Sequence, residues 1–282
     1  MQKLFNKILV PIDFSVKSTV AVNRAVDIAK EYKCSIHLFH VVAGLPFEAV
    51  KMAEGHMAIP YGIIDNKIEL EFHLKKLCDS IKMLTTDSLD ISYSIAKGYW
   101  DDAIIDLVKL SGFDLVIIGQ KGLSITKRKM LLNPDKIASK TNIPVITIPS
   151  NRRITKLYSI VIPITDFLPV KKLMYGIYIA TAYKATIKLL GIKNAKTQDQ
   201  VEYYLKKAKE LVSANCNINV EMDLIRSDNT AEAINQFAML QAADLIIVNP
   251  GTETKMPGFL STMLGNIIQK YATPPVLTIN PA

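Results

Sequence analysis

A chain of 282 residues, 49% hydrophobic and 21% charged, carries enough apolar content for two ordinary globular domains, each burying its own core. The formal charge of +8 is spread over both halves, 19 basic against 16 acidic residues in positions 1–150 and 15 against 10 beyond them, and no basic cluster is interleaved with base-stacking aromatics. Specific nucleic-acid binding is therefore not expected, and no apolar run approaches the ~20 residues that would make the membrane a partner.

The first strand is expected at 8–12 (ILVPI), followed by a helix over about 17–32 whose Val20, Ala25, Ile28 and Ala29 fall on one face. The run ends in Pro11 and Asp13 with no small-residue cleavage site, so it reads as a strand and not as a secretory leader. SIHLFHVV (35–42) is the next strand. Residues 43–62 then mix Leu45, Phe47, Val50, Met52, Met57, Ile59 and Tyr61 with few charges, the composition of a cover, lid or dimer contact. A charged helix follows over about 65–84, then a strand at 91–97, a helix from Asp101 to Leu110, the strand DLVIIG (114–119), a loop, a helix opening at Asn133-Pro134-Asp135 and the closing strand PVITI. Asn as cap and Pro in the first turn make a sound helix start.

After residue 150 the order begins again. KILVPID (7–13) is echoed by YSIVIPITD (158–166), FDLVIIG (113–119) by ADLIIVN (243–249), and IPVITIPS (143–150) by PPVLTINP (274–281). A period near half the chain means a duplicated domain, 1–150 and 151–282, and not a solenoid. Strands alternating with helices imply right-handed crossovers, hence an α/β architecture of two tandem five-stranded parallel-sheet, Rossmann-like domains. Such sheets bind ligands beyond the strands' carboxyl ends where the strand order reverses, which singles out Asp13, Val41 to Ala43 and the loop after Ile118.

The ordered set Val10-Pro11-Ile12-Asp13, Phe14-Ser15, Asp114 to Gly122 and Pro144-Val145, partly repeated in the second half, resembles the universal stress protein (UspA-like) family, in a tandem member. The resemblance implies an adenine nucleotide alpha hydrolase-like fold, halves packed through their last strands as a pseudo-dimer, and a cytoplasmic, non-enzymatic stress-response binding protein that forms homo-oligomers, a dimer above all. It also implies a nucleotide site, for ATP or AMP, at Pro11, Ile12, Asp13, Val41, Gly119, Gly122 and Asn133. The family loop runs G-x2-G-x9-G-[S/T]; Gly119 and Gly122 fit its first two glycines, but Leu132 and Asn133 occupy the last two slots in one register, Leu131 and Leu132 in the other. A branched side chain where phosphate must approach, and Pro134 in place of an N–H donor, make the expected binding weak. The second half is a degenerate copy, with Thr165 in the slot of Asp13, Asn249 and Thr252 for the early glycines, and Gly265-Asn266 out of register.

Other candidates have ordinary readings. Asp13 serves equally well as a ribose ligand or as part of the next helix cap. His37, His40, His56 and His73 have no metal-ligand spacing, so no metal is expected. Cys34, Cys78 and Cys216 show no CxxC spacing and read as thiols of a reducing compartment. Asp101-Asp102 beside Trp100 complement a helix dipole. Neither G-x-S-x-G nor a P-loop occurs, leaving two alternatives to a binding protein: a nucleotide-independent interaction scaffold, or an adenine-nucleotide-using enzyme of the same fold group, whose glycine-rich first turn is missing from Asp13-Phe14-Ser15-Val16.

Overall fold

The computed structural model describes residues 3–42, 67–85, 89–119, 132–149, 156–194, 197–254 and 274–281. Among the described residues, the first half runs β1 (Lys7–Pro11), α1 (Val16–Tyr32), β2 (Ser35–Val42), α2 (Lys67–Leu84), β3 (Ile91–Lys97), α3 (Trp100–Ser111), β4 (Leu115–Gly119), α4 (Pro134–Thr141) and β5 (Val145–Ile148). The second runs β6 (Ser159–Ile164), α5 (Val170–Tyr183), β7 (Thr186–Lys193), α6 (Gln198–Asn215), β8 (Val220–Arg226), α7 (Thr230–Leu240), β9 (Leu245–Val248) and β10 (Val276–Thr278). Residues 43–62, expected to cover a pocket or a partner, lie outside the described residues.

All ten strands form one sheet in the order β3-β2-β1-β4-β5-β10-β9-β6-β7-β8. Every neighbouring pair is parallel except β5 and β10, which meet antiparallel with Val276 opposite Thr147 and Thr278 opposite Val145. The two five-stranded units expected from the repeat thus share their last strands, and an antiparallel pair of equivalent strands relates the halves by an approximate two-fold axis. Both ends of the sheet are edge strands, β3 and β8, with mixed exposure along their lengths.

The repeated motifs have local causes. In each half the aspartate before the buried strand clamps the start of its neighbour: Asp114 accepts the amides of Asn6 and Lys7 at 2.8 and 3.1 Å, and Asp244 accepts those of Tyr158 and Ser159 at 2.8 and 3.1 Å. Helices α1 and α5 both stop at a lysine in the left-handed region, Lys33 at φ 53° and Lys184 at φ 55°, each donating its backbone N–H to an alanine carbonyl one turn back. Strands β1, β4, β5, β6, β9 and β10 are almost wholly buried, as strands covered on both faces must be.

The core differs on the two sides of the sheet. Under α1, α2, α5 and α6 one apolar cluster runs continuously through both halves. On the opposite side, α3 and α4 cover one cluster and α7 another. At the middle of the continuous face Phe5 meets Tyr32 edge-on at 5.4 Å, and Tyr32 stacks on Tyr178 at 5.0 Å, so aromatic side chains from both halves close the seam. A buried hydrogen bond of 2.6 Å from Thr254 to Asp135 ties the halves on the other side.

Candidate functional site

Strand order reverses between β1 and β4 in the first half and between β6 and β9 in the second, so the carboxyl ends of these strands are the places to look for a ligand. In the first half β1 ends in Pro11 and Ile12, both buried. The Ile12 amide donates to the Phe39 carbonyl at 2.8 Å, and its own carbonyl accepts from His40 Nδ1 at 2.6 Å. A carbonyl only accepts, so Nδ1 carries the proton and a neutral His40 has its lone pair on Nε2.

Asp13, half-buried, accepts both the amide and the hydroxyl of Ser15 on Oδ1, at 3.0 and 2.5 Å. Ser15 in turn is the N-cap of α1, accepting the Ser18 amide at 3.3 Å. Burial pushes the Asp13 carboxyl up, but the bonds from Ser15 and Ser18 outweigh it and hold the group below the usual aspartate value. Asp13 is thus the foundation of a helix cap, one of its two sequence-based readings. Between Asp13 and Ser15, Phe14 is held at φ 57°, costly for a bulky residue, with its ring 5.3 Å from His40.

Gly119 ends β4, opposite Ile148 of β5. A Cβ there would lie 2.4 Å from the backbone oxygen of Lys17. The missing side chain is thus required by the first turn of α1 passing over the strand end. Val41 has its side chain in the core under α3, leaving its backbone at the end of β2, where it pairs with Ala96. Asn133 caps α4 by accepting the Lys136 amide at 3.1 Å, and its own amide donates to Asp101 at 3.0 Å. Burial raises the Asp101 carboxyl, while the Asn133 amide and the Lys136 ammonium pull it back. Lys136 reaches Asp102 at 2.7 Å, so the paired aspartates anchor α4 onto α3.

The structure therefore places Pro11 at the end of β1, with Ile12 and Asp13 following it, Gly119 at the end of the neighbouring β4 and Val41 near the end of β2 on the other side. Asn133 belongs to the α3–α4 contact, and Gly122 lies outside the described residues. His37 bridges β2 to β3, its Nδ1 2.8 Å from the Ser92 hydroxyl and its Nε2 2.7 Å from that of Ser94. Among the described residues no group of three His, Cys, Asp or Glu side chains is placed to hold a metal ion, and no helix is long and apolar enough to cross a membrane.

The second half has filled the same place with itself. Lys172, in the first turn of α5, is 1% exposed. Its ammonium lies 2.7 and 2.8 Å from the two oxygens of Glu253 and 2.7 Å from the carbonyl of Pro163, the counterpart of Pro11. Glu253 also accepts the amide of Asn249, the residue in the slot of Gly119, at 2.7 Å, and the Asn249 side chain donates to the Ile279 carbonyl at 2.6 Å. Burial pushes the ammonium down and the carboxyl up, and each partner opposes the shift of the other. A carboxylate of the chain thus sits on the strand-end amide with a lysine as counter-ion. Sequence reasoning missed this pair; its one signal was a second lysine, after Lys171, on the inward face of an otherwise apolar helix.

Twice-repeated 3-2-1-4-5 parallel sheets joined through their last strands define a tandem doubly wound α/β protein with candidate ligand ends at β1/β4 and β6/β9. The chain belongs to the universal stress protein family, whose model matches residues 4–149. It is 28% identical over 149 residues to the universal stress protein YxiE of Bacillus subtilis, covering 51% of this chain and 99% of that one. With the universal stress protein MJ0531 of Methanocaldococcus jannaschii it shares 25% identity over 153 residues, 54% of this chain and 86% of that one. A crystal structure of a universal stress protein from Archaeoglobus fulgidus matches the whole of both chains at a TM-score of 0.69 and 16% identity, a likeness of fold.

Proposed function

We propose that this chain is a cytoplasmic, non-enzymatic binding protein of the universal stress family, built of domains 1–150 and 151–282, with a single, weakened adenine-nucleotide site. That site lies in the first domain at Pro11, Ile12, Asp13, Val41, Gly119 and Gly122, with Asn133 at its edge. One observation carries the reading: the polar groups at the strand ends are already spent inside the protein, on Ser15 and Asp101 in the first half and on the Lys172–Glu253 pair in the second. A ligand in the first half must compete with a helix cap for Asp13. In the second half it must displace a buried carboxylate, so the second domain serves packing and assembly, including a homodimer. The free thiols of Cys34, Cys78 and Cys216 fit a reducing compartment.

Calorimetry with ATP, AMP and adenosine tests this. Adenosine and AMP should bind no more weakly than ATP, and Asp13→Ala should remove what binding there is. Sub-micromolar ATP affinity that collapses on loss of the γ-phosphate would refute the weakened site. Absence of binding by all three would favour the interaction scaffold, the reading that the use of Asp13 in a helix cap also supports.

A further inference from the structure

Among the described residues the sheet has two open edges, and they are equivalent strands of the two halves, β3 and β8. An edge strand presents a row of unpaired backbone N–H and C=O groups, and charged side chains are the usual guard against pairing there. β8 (VEMDLIR) carries Glu221, Asp223 and Arg226 along its length, whereas β3 (ISYSIAK) has no charge before Lys97 at its end. In this respect β3 resembles β5 (VITI) and β10 (VLT), the uncharged strands through which the halves already pair antiparallel.

The backbone pattern fixes how a second strand would meet β3. Ile36 donates its amide to the Asp90 carbonyl at 2.9 Å and Gly98 donates to that of Val42 at 3.0 Å, so the even-numbered residues of β3 turn their backbone groups toward β2. Those of Ile91, Tyr93 and Ile95 therefore face the open edge. An antiparallel copy of β3 centred on Ser94 sets Tyr93 against Ile95 twice, in hydrogen-bonded positions, for about four backbone bonds. It joins an aromatic to a β-branched side chain on the face where both pack against the continuous core, and it places Ser94 opposite Ser94. Asp223 holds the place of Ser94 in the second half, reached from Pro163 through Leu190 as Ser94 is from Pro11 through Phe39. The same register on β8 would therefore oppose two aspartates.

Helix α2, packed on β3, extends the match. Leu74, Cys78 and Ile81 form its buried face, and His73 turns to Phe14 at 6.1 Å, on the side of β1. Lys75 and Asp79, both exposed, lie roughly 160° and 120° round the helix from His73, on the flank toward the open edge. Ser94 stands roughly 10 Å along β3 from its start, level with about Leu77 on the antiparallel helix. Leu77 is midway between Lys75 and Asp79, so a two-fold axis at Ser94 sets each lysine against the aspartate of the other copy. We propose that β3 is a docking edge for a second copy of this chain, which continues the sheet across an axis at Ser94. The contact is independent of the nucleotide site and of any contact made by the second domain.

Sedimentation velocity of the full chain across a concentration series tests this. Ser94→Lys opposes two lysines at the axis, and Ile95→Pro removes an outward N–H without touching the ladder to β2; each should halve the mass of the assembly. Circular dichroism melts check that both variants stay folded, and the exposed pair on α2 supplies a test that leaves β3 intact. Lys75→Glu should weaken association roughly two- to tenfold, and Lys75→Glu with Asp79→Lys should restore it. Met222→Lys, on the other edge, should change nothing. A monomeric wild type overturns the proposal, as does an assembly that survives both Ser94→Lys and Ile95→Pro, which would belong to the second domain. A charge swap that recovers nothing overturns it too.

Discussion

Replacing Glu253 by alanine should be among the most damaging single changes in this protein. Lys172 and Glu253 have side chains 1% and 3% exposed, and the carboxylate supplies two of the three short contacts to the ammonium. Removing one partner of such a pair leaves a buried charge with one carbonyl for company, which costs about 3–5 kcal/mol. At about 2–4 °C per kcal/mol for a chain of this size, the melting temperature falls by roughly 6–20 °C. The pH dependence is specific. Without Glu253 no carboxylate opposes the burial that pushes the Lys172 ammonium down, so the folded state binds fewer protons and the deficit shrinks as pH rises toward the unfolded lysine's ordinary value of about 10.4. The double variant Lys172→Met with Glu253→Leu should recover to within about 1 kcal/mol of wild type, since a buried pair is often no better than apolar replacements of similar volume. Urea melts of the three variants decide the matter. A loss below about 1 kcal/mol in the single variant, or a double variant as unstable as the single, would refute the buried-pair account.

Gly119→Ala should destabilise the ligand-free protein by about 1–3 kcal/mol, because the new methyl meets the Lys17 carbonyl, a backbone atom that cannot swing away; a variant of wild-type stability that loses only ligand would assign the glycine to binding instead. His37 is held down to about 4 by burial and by Lys7. The folded state therefore resists protonation, and its contribution is complete above about pH 6.5 and lost as pH falls toward 4; with partial exposure discounted it amounts to about 1–2 kcal/mol. His37→Leu should flatten the stability profile over that window, and an unchanged profile in acid denaturation would count against it.

Most of the architecture was legible because it rests on features with a short reach in sequence. Buried-strand runs, Asn133-Pro134 at a helix start and the twin aspartates before β4 and β9 each act on neighbours or on one adjacent strand; the repeated runs marked the duplication, while the pairing through the last strands was what the family resemblance implied. The site was harder to read, since one residue type can serve two ends. Gly119 is required by a carbonyl of the protein, whether or not a ligand also uses the space. Asp13 is fixed, but by the serine two residues on. Neither distinction is visible without the distance between β4 and the first turn of α1, or the direction of the Asp13 carboxylate. Lys172 and Glu253 are 81 residues apart and carry no local motif, so nothing short of the fold brings them together.

The two halves answer one physical problem in different ways. A parallel sheet ends in amides and a helix start, a place that favours negative charge, and it must be satisfied by a ligand, by water or by the chain. The second half has met this with its own carboxylate and an internal lysine, both buried. The first half has solved it reversibly, with a half-buried aspartate, a serine cap and an aromatic ring held at a positive φ, none of which is sealed from solvent. The polar groups at the strand ends are thus sealed from solvent in the second half and open to it in the first. The asymmetry predicts a difference in amide exchange. The backbone N–H of Asn249, bonded to a buried carboxylate, should exchange only on global unfolding, whereas that of Ser15, bonded to Asp13 at the surface, should exchange through local opening. Equal protection at the two positions would mean that the first half is as firmly closed as the second, and the weak-site reading would fall with it.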